Sequence, residues 1–422
     1  MPCEQDGSAC PGVIIEDCGE KLGLNGVDNG RLWFDHVRVP RQNLLDRFGR
    51  VSAEGVYSSP IASPAKRFFT MLGTLVGGRI SVALGALSAS KSALTIAIRY
   101  GSRRRQFGPE GEPEIVLLDY PSHQIRLMPR LAASYALDFA LHDLVRMYVD
   151  SKEEDRRKVE ALAAGFKAYA TRHATDAIQE CREACGGQGY LAENRLASLK
   201  SDTDVFTTFE GDNTVLLQLV SKSLLTGFRR QFNEMGVLGL ARYVAAQAAS
   251  VVTDLNPVVT RRSDEDHLRS RDFQMSALRW REHHLLISLA RRIKKRLDAG
   301  SSSFDALIQV QNHAIVLAEA HVEAEVLDRF ISAIAGCEDE SLRRVLNLVC
   351  DLYALHRIDA GRGWFQAHGY LEDAKARAIR KLVIRLCAEL RSQAVPLVDS
   401  FGIPDELLAA PIAFDGVATR PI

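Results

Sequence analysis

Apolar residues alternate with polar ones in the first sixty positions and then return every three or four residues for most of the chain. That change of period predicts a short β-rich start followed by helices. Val13, Ile14 and Ile15 read as one strand, and Leu32, Phe34, Val37 and Val39 as a second running to Pro40, with Gly19, Gly23, Gly26 and Gly30 as punctuation between them. So few strands do not make an independent sheet domain. The Ser- and Pro-rich stretch 52–64 reads as a loop. Ile80, Leu84, Leu87, Leu94 and Ile98 then mark a one-faced helix ending near Gly101. A second helix is expected over about 121–149, and a third over 155–184 with Val159, Leu162, Phe166, Tyr169 and His173 on one face. Gly186 and Gly187 should stop the third. A fourth, about 214–225, is apolar nearly all round and so is expected to be buried. After a connector with Asn256-Pro257, a second helical block covers about 270–400, with apolar runs at 307–330, 342–355 and 378–395, before an irregular tail carrying Pro404, Pro411 and Pro421. No run reads as long enough to span a bilayer.

With 422 residues, the chain has room for two or three domains. Basic and acidic residues number 53 each, so nothing favours a nucleic acid or a membrane as the main partner. The eight cysteines are scattered and read as reduced thiols. Cys181 and Cys185 lie four apart on one helix, but with no second Cys/His pair nearby in sequence they read as small buried residues rather than metal ligands. The polar start carries no secretory signal, and Arg420-Pro421-Ile422 is not a peroxisomal ending of the SKL type. A bacterial cytoplasmic setting is expected on those grounds.

The chemistry-bearing stretch is Thr207-Thr208-Phe209-Glu210-Gly211-Asp212-Asn213-Thr214. Glu210, Asp212 and Asn213 have a bland role as caps of the next helix, favoured by its positive N-terminal end. Alternatively, Glu210 is a base whose basicity is tuned in an apolar pocket made by Phe209 and that helix. Both hold if Asp212 or Asn213 caps and Glu210 faces a substrate. Arg103, Arg104 and Arg105 precede Gln106-Phe107-Gly108 at a helix end, where guanidinium forks suit a pyrophosphate or merely line a solvated turn. Gly186 and Gly187 permit close approach of a cofactor or simply end a helix. Arg79 follows Val76-Gly77-Gly78, and a structural ion pair is its plainest role. The basic run 291–296 reads as a solvated helix face. Motifs of hydrolases, metal enzymes, P-loops and Rossmann folds are missing. A faint echo relates Gly187–Glu193 to Ala367–Asp373 and suggests two related helical domains.

Taken together, "GGRISVALGAL", "RRRQFGP", "LLDYPSHQIRL", "CREACGGQGYL", "TTFEGDNTVLLQ" and "GWFQAHGYLEDAKARAIRKLVIRLCAELR" resemble the acyl-CoA oxidases of the acyl-CoA dehydrogenase superfamily. The resemblance implies a mainly α fold. The end of a middle β domain (1–60) would lead into an FAD-binding helical domain (61–230), a connector (231–269) and the oxidase-type C-terminal helical domain (270–422). It implies that Glu210 takes the α-proton of a fatty acyl-CoA, that Arg79 supports the base, and that Arg104, Gln106 and Phe107 meet FAD from a neighbouring subunit. Gly186 and Gly187 would lie along the adenosine part of FAD, and Asp212 and Asn213 would touch it again. The expected product is a trans-2-enoyl-CoA, with O₂ reduced to H₂O₂ and a homodimer as the working form. The chain begins inside the β domain, which raises the expectation that a partner supplies the rest. An acyl-CoA dehydrogenase passing electrons to an electron-transfer flavoprotein, and a silent helical partner subunit, remain alternatives.

Overall fold

The computed structural model describes residues 3–152, 155–234 and 261–414. The central part of the expected connector and the last eight residues, with Arg420-Pro421-Ile422, lie outside the described residues. Chain contacts divide the protein into two compact units, Met1–Gly78 and Arg79–Ile422.

In the first unit β1 (Val13–Asp17) pairs antiparallel with β2 (Gly30–Phe34), Val13 opposite Phe34 and Asp17 opposite Gly30. The second strand is shorter than the alternation to Pro40 suggests. His36 takes a left-handed φ of 51°, which extended backbone cannot absorb. Lys21 holds the connecting loop by donating to the carbonyl oxygens of Leu24 and Val27 and to Asn29. Val13 is buried, whereas Ile14, Ile15, Leu32, Trp33 and Phe34 are exposed. A two-residue ribbon follows, β3 (Arg50–Val51) with β4 (Tyr57–Ser58), the latter inside the stretch expected to be loop, and then helix α1 (Pro64–Leu72).

The second unit is helical, so the fold is mainly α as expected. Its first helices are α2 (Leu75–Gly101), α3 (Pro121–Asp150), α4 (Arg156–Ala184), α5 (Leu196–Asp204) and α6 (Asn213–Glu234). Then come α7 (Glu265–Arg269), α8 (Arg271–Asp298), α9 (Ser303–Ile308) and α10 (Gln311–Ala335). The last are α11 (Glu340–Ala360), α12 (Arg362–Ala367), α13 (Asp373–Leu390), α14 (Ala394–Asp399) and α15 (Asp405–Leu408). By length and composition α2 would suffice to cross a membrane, which corrects the sequence reading; over half of its apolar window is buried inside the fold, as in a core helix.

At the centre lies α4, packed against α3, α5, α6 and α10. Its small residues explain the close approach. Ala163, Ala164, Ala168, Ala170, Ala174 and Ala177 are buried, and a Cβ on Gly165 would come within 2.7 Å of Val322 Cγ2 on α10. Ala164, Ala168, Leu216, Leu217, Val220 and Ala318 form one core cluster from α4, α6 and α10. Burying each large apolar side chain there contributes roughly 1.5–3 kcal/mol. The fourth helix is not buried all round: Val215 is 62% exposed, so α6 offers one face to the core and another outward.

Ion pairs bind the later helices to this core. Asp351 on α11 is almost wholly buried and accepts from Arg269 Nε at 2.9 Å, Arg271 Nη1 at 2.7 Å and Gln274 Nε2 at 2.9 Å. Glu323 on α10 accepts from Arg281 Nη1 at 2.9 Å. The end of the helical block and the tail that follows it are laced across the first helices. Arg99 reaches Asp399 and Asp405, Arg391 reaches Asp119, and Tyr135 donates to the Leu397 carbonyl.

Asp351→Ala would remove the acceptor that Arg269, Arg271 and Gln274 share while the two arginines keep other partners, and should cost about 2–3 kcal/mol, read as a lower midpoint in urea unfolding. A second expectation concerns pH. Burial brings His173 and His356 down to about 3 and His123 to about 4, with neighbouring arginines pushing the same way. These rings stay neutral in the folded chain, whereas the unfolded chain takes up protons below about 6.5. Their contribution is therefore full above that value and lost as the pH falls toward 4 and 3. Urea unfolding at pH 7 and pH 5 should give the lower stability at pH 5; an equal or higher value would contradict these assignments.

Candidate active site

The site forms where the chain turns from α5 into α6. Asp212 Oδ1 accepts from the backbone N–H of Thr214 at 2.9 Å and of Val215 at 3.3 Å, which satisfies two of the free donors at the start of α6. Asn213 points inward. Its Nδ2 donates to the Ala168 carbonyl and to Thr171 Oγ1 on α4, while its Oδ1 accepts from Lys167 Nζ at 3.0 Å. Lys167 is fully buried and also donates to the Gly211 carbonyl at 2.7 Å. Burial brings its ammonium down to about 8, with Asp212 and Glu210 pulling it up and Arg79 pushing it down.

Glu210 stands on this turn with φ of 56°, and Gly211 follows at 116°. A left-handed glutamate is uncommon and is held only by its surroundings. Arg79, 5% exposed on α2, donates Nε to the Glu210 carbonyl at 3.3 Å. Burial lowers its pKa, opposed by the negative charges of Glu160 on α4 and Glu210. Two polar atoms here are buried without a hydrogen-bond partner among the described residues, Arg79 Nη1 and Glu210 Oε2. Phe209, expected to wall the carboxylate in, is 47% exposed and lies beside Phe206 instead.

Arg79, Glu210, Asp212 and Asn213 are thus brought together; the other candidates gather elsewhere. The loop after α2 closes as a β-bridge between Arg105 and Val116. Arg103 donates to the Ile412 carbonyl and Arg105 to the Glu114 carbonyl, so two of the three arginines serve the fold. Arg104 is half-buried and keeps its guanidinium turned to no hydrogen-bond acceptor among the described residues. Gln106 is exposed, and Phe107 has φ of 61° with its ring 69% exposed. The turn after α4 carries Gly186 with φ of 56° and Gly187, both exposed with open space where a Cβ would stand. Gly189 is different: a Cβ there would meet the Arg182 carbonyl oxygen at 1.9 Å, so this tight turn accepts glycine alone. Tyr100 senses both Arg104 and Cys185, which puts this second cluster at one end of the bundle. Lys167 and Ala184 lie far apart on α4, roughly 25 Å of helix rise. Cys181 and Cys185 are buried thiols, and burial pushes Cys185 up to about 12.

Lys167, Thr171 and Asn194 were not among the candidates. Asn194 is fully buried, donating to Gln188 and accepting from the Ile412 N–H, and so locks the glycine turn to the C-terminal segment. The one available signal for Lys167 was a lysine set between Phe166 and Ala168 inside an alanine-rich run.

Comparison with known proteins agrees with this architecture. Residues 72–225 match the acyl-CoA oxidase C-alpha1 domain, and residues 270–417 match the acyl-CoA oxidase domain. Acyl-coenzyme A oxidase 2, peroxisomal, of Arabidopsis thaliana is 45% identical over 412 residues, covering 97% of this chain and 59% of the relative. The solved structure of Arabidopsis thaliana acyl-CoA oxidase 1 superposes with a TM-score of 0.85 at 28% identity, over 98% of this chain and 63% of that one. Acyl-CoA oxidase-1 of Caenorhabditis elegans, solved complexed with FAD and ATP, has the same fold (TM-score 0.81, 24% identity, 97% of this chain and 60% of that one). The chain belongs to the acyl-CoA oxidase family and spans about 60% of the length of such relatives. The expected bacterial cytoplasmic setting is overturned, since curated relatives from Arabidopsis thaliana to Homo sapiens are named peroxisomal.

Asp212→Ala should cost about 1 kcal/mol through loss of the α6 cap. Chemical unfolding would register it, and an unchanged midpoint would mean the two N–H groups find other partners.

Proposed function

We propose that this chain carries the proton-abstracting half of an FAD-dependent acyl-CoA oxidase site, with Glu210 as the base. The observation that carries the reading is Glu210 Oε2, a buried carboxylate oxygen that meets no donor among the described residues, on a residue whose backbone carbonyl is held by Arg79, itself left with Nη1 buried and unpartnered. Buried polar groups are usually paired, and Glu210 Oε2 is the one carboxylate oxygen among the buried side-chain atoms without a partner in the described residues, which favours a ligand that completes it. In this reading Glu210 takes the α-proton of a fatty acyl-CoA, and the α,β double bond forms as a trans-2-enoyl-CoA is produced. Bound FAD supplies the hydride acceptor, and O₂ then takes the two electrons and two protons as H₂O₂. Arg79 anchors the backbone of the base and sets a positive charge beside the acyl group.

The residues present fit FAD. Arg104 has a guanidinium free for a phosphate, and Gly186 and Gly187 expose backbone with nothing above them. Their distance from Glu210 along α4 supports a homodimer, in which Arg104, Gln106 and Phe107 of one copy serve the site of the other. Asp212 would extend that cofactor surface next to the base, and Asn213, its side chain turned inward onto α4, would meet it only through its backbone. We read residues 61–230 as the cofactor-binding domain and 270–422 as the C-terminal helical domain, with 1–60 as the end of a β domain and 231–269 as the connector. The match at residues 270–417 to the acyl-CoA oxidase domain favours oxidase over dehydrogenase chemistry.

Glu210→Gln keeps the size of the side chain and removes its basicity. It should lower enoyl-CoA and peroxide formation by about 10³-fold or more while flavin stays bound. Turnover within tenfold of the parent chain would sink the assignment of Glu210 as base.

A further inference from the structure

We infer that Lys167 is a positioning residue for Glu210, because its ammonium clamps the Gly211 carbonyl and the Asn213 side chain and so fixes the left-handed backbone on which the carboxylate stands. As far as rate is concerned, this rests on the function proposed above; as far as geometry is concerned, it does not.

A lysine amine driven into an apolar core is costly unless its donors are met, by several kcal/mol. Lys167 is fully buried on the alanine-rich face of α4, and two of its three N–H groups go to the turn, at 2.7 Å to Gly211 O and 3.0 Å to Asn213 Oδ1. Asn213 is itself oriented from the same helix, donating to the Ala168 carbonyl at 3.2 Å and to Thr171 Oγ1 at 2.9 Å. Thr171 in turn donates to the Lys167 carbonyl at 2.9 Å. One turn of α4 thus grips the segment from two sides.

The grip is needed because the segment is strained. Glu210 and Gly211 both lie at positive φ, and a non-glycine residue there stays only where its neighbours hold it. Two successive carbonyls are held from two different helices, Glu210 O by Arg79 Nε on α2 and Gly211 O by Lys167 Nζ on α4. The carboxylate between them is left out: no ion pair joins Lys167 to Glu210 among the described residues, and Glu210 Oε2 has no partner. Lys167 therefore acts on the base through the backbone and through its charge, not by touching a substrate. The charged groups facing it are Asp212, Arg79 and Glu210.

Lys375 supplies an internal control. It too is buried, and burial brings it down to about 8, but its amine lies 3.0 Å from His267 Nε2 and 4.0 Å from the Phe273 ring, among α7, α8 and α13. A loss of stability alone should look alike in both.

The test compares Lys167→Met, Lys375→Met and the parent full-length chain loaded with FAD, using a saturated fatty acyl-CoA as substrate. Lys167→Met should lower kcat by about 100-fold with KM changed less than about threefold, since a base displaced by about 1 Å loses rate more than binding. Lys375→Met should lower the unfolding midpoint comparably and leave kcat within about twofold. Equal effects of the two substitutions on kcat, or a loss in Lys167→Met that falls on KM rather than kcat, would overturn the proposal. Crystal structures of the parent and Lys167→Met chains decide it independently of turnover. Glu210 should leave its positive φ in the variant, and an unchanged turn at 210–213 would overturn the proposal even if the parent chain oxidised no acyl-CoA. If Lys167→Met does not fold, Asn213→Ala removes one acceptor from the clamp and should lower kcat about tenfold by the same displacement; parental kcat would count against the clamp.

Discussion

A buried ammonium has to be answered, and the answer here shapes the site. Lys167 sits where α4, α6 and α10 share a core, and water is excluded from it. Acceptors must come to it, and they come from the turn between α5 and α6. Once Gly211 and Asn213 are drawn onto α4, Glu210 is forced into the left-handed region and α6 must begin at Asn213, with Asp212 capping it. Strain at one residue is thereby offset by hydrogen bonds at its neighbours. The result is an ordered backbone under a carboxylate that keeps an oxygen unpaired.

The later helices matter to this arrangement through α4. Val322 on α10 packs where Gly165 leaves room, the Arg329 guanidinium stands 5.3 Å over the Phe166 ring, and Arg357 on α11 donates to the Tyr169 hydroxyl. Positions 165, 166 and 169 flank Lys167, so the C-terminal helices fix the register of the residue that holds the turn. At the far end of α4 the segment around Ile412 ties Arg103 to Asn194 and steadies the glycine turn. Both clusters of candidate residues thus lean on one central helix.

Much of this was legible in the chain. The 3.6-residue period placed α3 and α4 within a residue or two, and the end of α2 at Gly101, because long one-faced or apolar helices carry their own signal. The position of Glu210 before a glycine and an Asp-Asn cap was legible for the same local reason. What was not legible depended on partners distant in sequence. Lys167 looks like a polar residue on a half-solvated helix until α6 and α10 cover that face. Val215 looks like core, yet α6 leaves it exposed. The strand expected to reach Pro40 breaks at His36, whose left-handed backbone no alternation of side chains announces. The arginine run hid a division of labour, two side chains bonding carbonyls of the fold and the middle one turned elsewhere.

The most direct test is an anaerobic titration of the purified, FAD-loaded chain with a saturated fatty acyl-CoA, followed by visible absorption. The account predicts that the oxidised flavin band bleaches as acyl-CoA is added and returns, with peroxide, when oxygen is admitted. A flavin band that stays unchanged while flavin and acyl-CoA are both bound would contradict it.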